Sequence, residues 1–215
     1  MFSLHARAFV NLDFESADLT PIPPGQFGGS APIGFALPGW TGYLGTNRVS
    51  SVLQNNLTLG TASLDILGPN WNNVGGIRII DGQYTVILQP GFDPFGSGHD
   101  VSASISQTGL VPANAESIRF KALASGFSVS IAGQRLSLVT LGMGASYTLY
   151  GADVSSFAGQ AAALTITGLA QPNGGGFFDS IVFSPSPVPE PSIVALLLCA
   201  GVAFFLARPL LGPQR

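Results

Sequence analysis

Charge is what this chain has least of. Asp, Glu, Lys and Arg together make up 9% of its 215 residues, where soluble globular domains carry roughly 25%. Eight basic residues against eleven acidic ones leave a formal net charge of −3. Such a surface offers no basic field with which to hold a polyanion, and nucleic acid is excluded as an expected partner. Cysteine is almost missing as well. Cys199 stands alone, which excludes an internal disulfide framework and a thiolate zinc site.

The residues and motifs of catalysis are equally thin. There are two histidines, and no G-x-S-x-G elbow, phosphate-binding glycine loop or HExxH occurs. Glycoside hydrolysis needs two carboxylates roughly 5 to 10 Å apart across a cleft, and nothing in the spacing of Asp65, Asp81, Asp93, Asp100 and Glu116 pairs them. His99-Asp100 follows a Gly/Ser-rich loop from Gly91 to Gly98 and reads as polar loop rather than as a base with its orienting acid. The expectation is a protein that is not an enzyme.

What fills the chain instead is Ser, Thr, Asn and Gly around short alternating runs. Val101–Ile105, Ile118–Ala122, Phe127–Ile131 and Leu164–Thr167 alternate apolar with polar residues. A period of two marks antiparallel strands with one face buried and one wet. Turn signals at Asp81-Gly82, Ala132-Gly133-Gln134 and Pro172–Gly176 separate the runs. The fold class expected is all-β, an antiparallel sandwich or barrel. Pro21–Pro38 reads as a long surface loop leading to a strand at Gly39–Leu44 with Trp40 in the core. Asp153–Gly159 reads as a single capped helical turn.

The composition then changes abruptly. After Phe183 comes Ser-Pro-Ser-Pro-Val-Pro, a stiff extended linker, and after it an uncharged apolar run from Ile193 to Ala207. As a helix this run rises about 22 Å, and continuing to Leu211 with Arg208 snorkelling brings it near the roughly 30 Å of a hydrocarbon core. Arg208 and Arg215 favour a cytoplasmic C-terminus. A buried core helix is the ordinary alternative for such a run, but its terminal position, its lack of a polar stripe and the linker before it favour the membrane. Residues 1–8 read as a disordered N-terminus, 9–183 as the sandwich domain, 184–192 as the linker and 193–215 as a membrane-spanning helix with a basic end.

Two resemblances follow from particular residues. Val188-Pro189-Glu190-Pro191-Ser192, followed by an apolar helix (Ile193, Leu197, Phe204 and Phe205 within it) and Arg208, resembles the PEP-CTERM sorting signal of bacterial surface proteins. The resemblance implies a transient inner-membrane anchor, processing by an exosortase-type enzyme, and delivery to the cell surface or extracellular matrix. The basic cluster usual at the end of such tails is reduced here to Arg208 and Arg215. Met1–Asn11 has no long apolar core and no small-residue cleavage site, so the leader that export requires is expected upstream of this start.

The second resemblance lies in the domain. Asn11–Glu15 ("NLDFE"), Leu37–Trp40 ("LPGW"), Tyr150–Gln160 with the strand after it, and Phe178–Phe183 are together similar to the galactose-binding-like jelly roll of carbohydrate-binding modules. That family implies terminal strands lying side by side and a structural calcium, for which the matching positions are Glu15 and Asp179. Hard oxygen ligands suit this ion. The plain alternative makes Glu15 solvent-facing and Asp179 a strand-edge charge that discourages pairing.

Sugar binding is the remaining functional reading. Trp71 sits in a polar loop with Asn70, Asn72 and Asn73, an aromatic face with amides beside it for hydroxyl groups. The competing reading packs Trp71 over the sandwich edge. From sequence, then, the expected role is a non-catalytic structural or adhesive one at the cell envelope. The alternative is a carbohydrate-binding module for an envelope or matrix polysaccharide.

Overall fold

The alternation becomes strands in a computed structural model of the chain, which describes residues 7–26, 28–71, 78–171 and 174–189. In chain order the strands are β1 (Ser30–Pro32), β2 (Thr41–Leu44), β3 (Asn47–Val49), β4 (Ser51–Gln54), β5 (Ser63–Leu67), β6 (Thr85–Gln89), β7 (Gly91–Phe92) and β8 (Asp100–Val101). There follow β9 (Ala103–Leu110), β10 (Ser117–Ser125), β11 (Phe127–Ile131), β12 (Gln134–Arg135), β13 (Val139–Met143), β14 (Thr148–Asp153), β15 (Ala161–Gly168) and β16 (Gly175–Ser184).

One sheet runs β1-β4-β5-β6-β16-β10-β14-β13, the other β12-β11-β15-β9-β2-β3, and β7 with β8 forms a separate ribbon. Among the named strands every pairing is antiparallel except that of β4 with β5, and the isolated bridges Ala8–Leu110 and Thr61–Phe92 are parallel as well. The two large sheets meet face to face, β2 and β9 against β5, and β15 against β6 and β16, so the fold is an all-β sandwich. Its shared core includes Phe14, Trp40, Ile105, Phe120, Leu164 and Phe178. Phe120, Phe127, Tyr150 and Phe178 stack or meet edge-on at centroid distances of 5.3 to 6.5 Å. At Gly42 on β2 an added Cβ would collide with Leu64 of the opposite sheet and with Ile33, so glycine sets how closely the layers approach.

The Pro/Gly-rich stretch differs from the expected loop. Its second half makes β1 and a helical turn, α1 (Ile33–Ala36). Pro32 is tolerated because β1 is an edge strand that pairs on one side only. The turn at Ser155–Phe157 is a 3-10 turn whose N-cap is Val154 rather than Asp153; Asp153 ends β14 one residue earlier and accepts from the Ser155 amide at 2.8 Å.

The two ends of the described chain lie together. Ile181 N–H donates to the Leu12 carbonyl, and the Phe9 and Phe183 rings are 5.2 Å apart. Gln107 on β9 exchanges a pair of hydrogen bonds with the Val10 backbone, and Trp40 donates its indole N–H to the Asn11 carbonyl at 3.0 Å. Arg7 already lies along β9, its carbonyl accepting from Leu110. Beyond β16 the Pro-rich segment also stays on the domain. Ser186 C=O accepts from Ser117 Oγ and from Arg119 Nη2, which reaches Pro187 C=O as well. Truncating Arg119 to Ala is expected to speed proteolysis between Ser184 and Pro189 several-fold with the fold intact, as limited digestion with intact-mass readout will measure.

Candidate functional site

The carboxylates that sequence singled out meet at the turn before β6. β16 pairs with β10 at Asp179↔Lys121 and again at Val182↔Arg119, leaving Ser180 and Ile181 both opposite Phe120. This bulge, with Ser180 at φ +50°, re-aims the side chains around it. Phe178 enters the core and the neighbouring Asp179 faces the other side of the sheet, where it is buried under the turn.

Both oxygens of Asp179 are engaged. Oδ2 accepts from Thr85 Oγ1 at 2.6 Å and from Asp81 N–H at 3.2 Å, and Oδ1 accepts from Ser180 N–H at 2.7 Å. Thr85 in turn accepts from Ile80 N–H. Burial pushes the Asp179 carboxyl up to about 7, against the pull of those donors. Glu15 grips the same turn from outside, accepting from the Gln83 and Tyr84 amides at 2.9 to 3.1 Å. Its carboxylate lies so close over Gly82 (φ +56°) that a Cβ there would strike it.

Thus Glu15 and Asp179 hold one turn from its two sides. Their oxygens accept from N–H and O–H donors of that turn and its neighbours. Among the described residues no group of three or more His, Cys, Asp or Glu side chains gathers as a metal site requires. Nor is Asp179 a strand-edge charge, because β16 lies between β6 and β10.

Sequence reasoning missed the groups around this pair. Lys121 forms an ion pair with Asp81, which also accepts from Ser180 Oγ. The lysine and the serine hold the Asp81 carboxyl below its ordinary range, and Asp81 raises Lys121 in return. Lys121 Nζ is 5.3 Å from the centre of the Tyr147 ring. The pair is open to water and worth little by itself. No local signal links residues 81, 121 and 179, because strand pairing alone brings them together.

A second buried acid stands apart from this cluster. Leu64 and Ile66 of β5 belong to the core, so Ser63, Asp65 and Leu67 point to the opposite face, and all five are buried. Asp65 Oδ2 accepts from Ser63 Oγ at 2.7 Å, while Oδ1 has no partner among the described residues. Burial raises its carboxyl to about 7. The signal was present in the run Ser-Leu-Asp-Ile-Leu, an acid in the middle of an apolar strand.

The remaining sequence-chosen residues separate. Asn70 (φ +68°) donates its amide to the Ile22 carbonyl at 3.0 Å and so pins the Pro-rich loop. Trp71 is half-buried beside it, and Asn72 lies outside the described residues. His99 closes the 91–100 loop, its carbonyl accepting from Asp93 N–H, with Nδ1 3.2 Å from Ser97 C=O. Val188 and Pro189 follow the docked segment, and Val188 packs on Gly151. Glu190, Pro191, Ser192 and the run with Ile193, Leu197, Phe204, Phe205 and Arg208 lie outside the described residues. Among the described residues no helix is long and apolar enough to cross a membrane.

These features define a β-sandwich with a carboxylate-held turn at the junction of its two terminal segments. Compared with protein-family models, with curated proteins and with solved structures, the chain finds no match.

Proposed function

We propose that this is an exported bacterial surface or matrix protein, sorted and processed at a PEP-CTERM-like tail, whose sandwich domain plays a non-catalytic structural or adhesive role. The observation that carries this reading is the motif Val188–Ser192 with the uncharged run Ile193–Ala207 directly behind it. The motif begins four residues after β16 ends at Ser184, and the segment between is tied to the domain by Ser117 and Arg119. A processing enzyme at the membrane therefore meets its motif a fixed, short distance from a folded body.

The finer fold assignment proposed is the galactose-binding-like jelly roll. The adjacency of Leu12 to Ile181 and of Phe9 to Phe183 supports it in position only: the resemblance implies side-by-side terminal strands, whereas residues 9–16 lie against β16 without strand structure of their own. In this setting the low charge and the hydroxyl-rich surface serve a protein embedded among polysaccharides.

The test is cell fractionation and intact mass of the protein expressed in its native host from the full reading frame. The expected result is a mature species outside the inner membrane that ends near Pro189. Full-length protein retained in the cytoplasm overturns the reading.

A further inference from the structure

A groove of about 400 Å³ opens between the β3 edge of one sheet and the β4 and β5 strands of the other, and the 91–100 loop overhangs it. That volume lies in the range of small-molecule sites. Much of its lining is apolar, from Leu44, Val49, Val52 and Leu64 among others, and set among these are the Phe95 ring, the Arg48 guanidinium and hydroxyls including Ser50, Ser51 and Thr61. No acidic side chain is among the lining residues.

Both walls are fixed before any ligand arrives. Asp93, buried at the base of the loop, accepts from Phe95 N–H and Ser97 N–H at 3.0 Å each, and its own N–H donates to the His99 carbonyl. Phe92 N–H and C=O bond to Gly60 and Ala62, clamping the loop to the opposite wall. That wall is clipped in turn by Gln89, whose amide donates to the Thr58 and Thr61 carbonyls. On this frame Phe95 stands 57% exposed among the residues that line the groove, so its ring is free to meet a ligand there.

The Arg48 side chain has no hydrogen-bond or ion-pair partner among the described residues, unlike those of Arg119 and Lys121. An unpaired guanidinium in a groove without acids is a fork-shaped receptor for a carboxylate.

We propose that this groove binds an acidic glycan through a single uronic-acid residue, one carboxylate to the one guanidinium in the lining, so that recognition needs no wider basic field. The carboxylate pairs with Arg48, the apolar face of the pyranose ring stacks on Phe95, and the sugar hydroxyls bond to the serine and threonine hydroxyls of the walls. The proposal rests on the extracellular reading above, because only there does the protein meet such a polymer. It replaces the Trp71 loop with a site at the other end of β5.

The test is titration of the purified full chain with a short oligogalacturonide and with its methyl ester, followed by calorimetry. The acid is expected to bind, with affinity falling as salt rises, and the ester at least tenfold more weakly, since a charged hydrogen-bonded pair is lost. Arg48→Ala and Phe95→Ala are each expected to weaken binding about tenfold, with Phe95→Tyr restoring it. Arg48 and Phe95 are exposed, so these variants keep the fold, which an unchanged melting temperature will show. The assignment is overturned if the acid does not bind, if acid and ester bind alike, or if both alanine variants bind as the parent does. Export is measured separately by fractionation, so failure of the groove and failure of the sorting reading are told apart.

Discussion

Raising the pH from 5 to 8 is expected to destabilise the folded domain through Asp65 by about 3 kcal/mol. The sign follows from where the proton sits. The Asp65 carboxyl has an ordinary value of 3.8 and stands at about 7 in the fold, with burial as the main cause. Between those values the native state holds a proton that the unfolded chain has released. Stability therefore falls by about 1.4 kcal/mol for each pH unit in that window and levels off above about 7. Asp179, also raised to about 7 by burial, adds a change of the same sign.

Below 3.8 the direction reverses. Asp81, Asp93 and Asp153 are held below their ordinary range, chiefly by hydrogen bonds from Lys121, from Ser97 and from the Ser155 backbone respectively. Their contribution is present above 3.8 and is lost as they are protonated. Maximum stability is thus expected near pH 4 to 5, which urea unfolding across the pH range will locate. In Asp65→Asn the amide carries no charge, and the Asp65 part of the slope should vanish. A parent protein as stable at pH 8 as at pH 5 would show that water reaches the unpartnered Oδ1.

Asp179→Asn is expected to lower stability instead, by about 3 kcal/mol at pH 8, where the carboxyl is ionised and accepts all three of its donors. The difference lies in what each carboxylate faces. Asp65 receives one hydroxyl donor, whereas Asp179 receives Thr85 Oγ1 and the amides of Asp81 and Ser180. An asparagine can accept through one oxygen only. Its amide nitrogen then confronts either the Ser180 amide or the pair from Thr85 and Asp81, and buried donors are left unsatisfied. The turn 80–85 should loosen first, seen as faster hydrogen exchange at the Asp81 amide. Glu15 still holds Gln83 and Tyr84. A loss below about 1 kcal/mol would mean that Glu15 alone fixes the turn.

The contrast between these two acids shows how far sequence reading reached. The period-two runs predicted strands at 118–122, 127–131 and 164–167, and those residues lie in β10, β11 and β15. Trp40 was placed in the core by its strand neighbours, and it is buried against Phe14 at a ring distance of 5.8 Å. The choice of Glu15 and Asp179 as partners at the terminal junction came from a family likeness. The structure brings them to one turn, as acceptors of N–H groups.

Alternation is a local property, written residue by residue, so the sequence by itself determined an all-β domain with turns at its Gly, Asn and Pro clusters. The tail is legible for a similar reason, since an uncharged run and a Pro-Glu-Pro motif depend on no distant residue. Only the tertiary structure decided which strands pair, that β4 and β5 run parallel, and that β16 bulges at Ser180. Those choices bring Asp179 to Thr85 across 94 residues of chain and to Asp81 across 98. They also bury Asp65 on the face that alternation alone would leave wet, and bring Phe95 and Arg48 to one groove. The physical reason is that burial and hydrogen-bond partnership belong to neighbours in space, and a sandwich draws its spatial neighbours from distant parts of the chain.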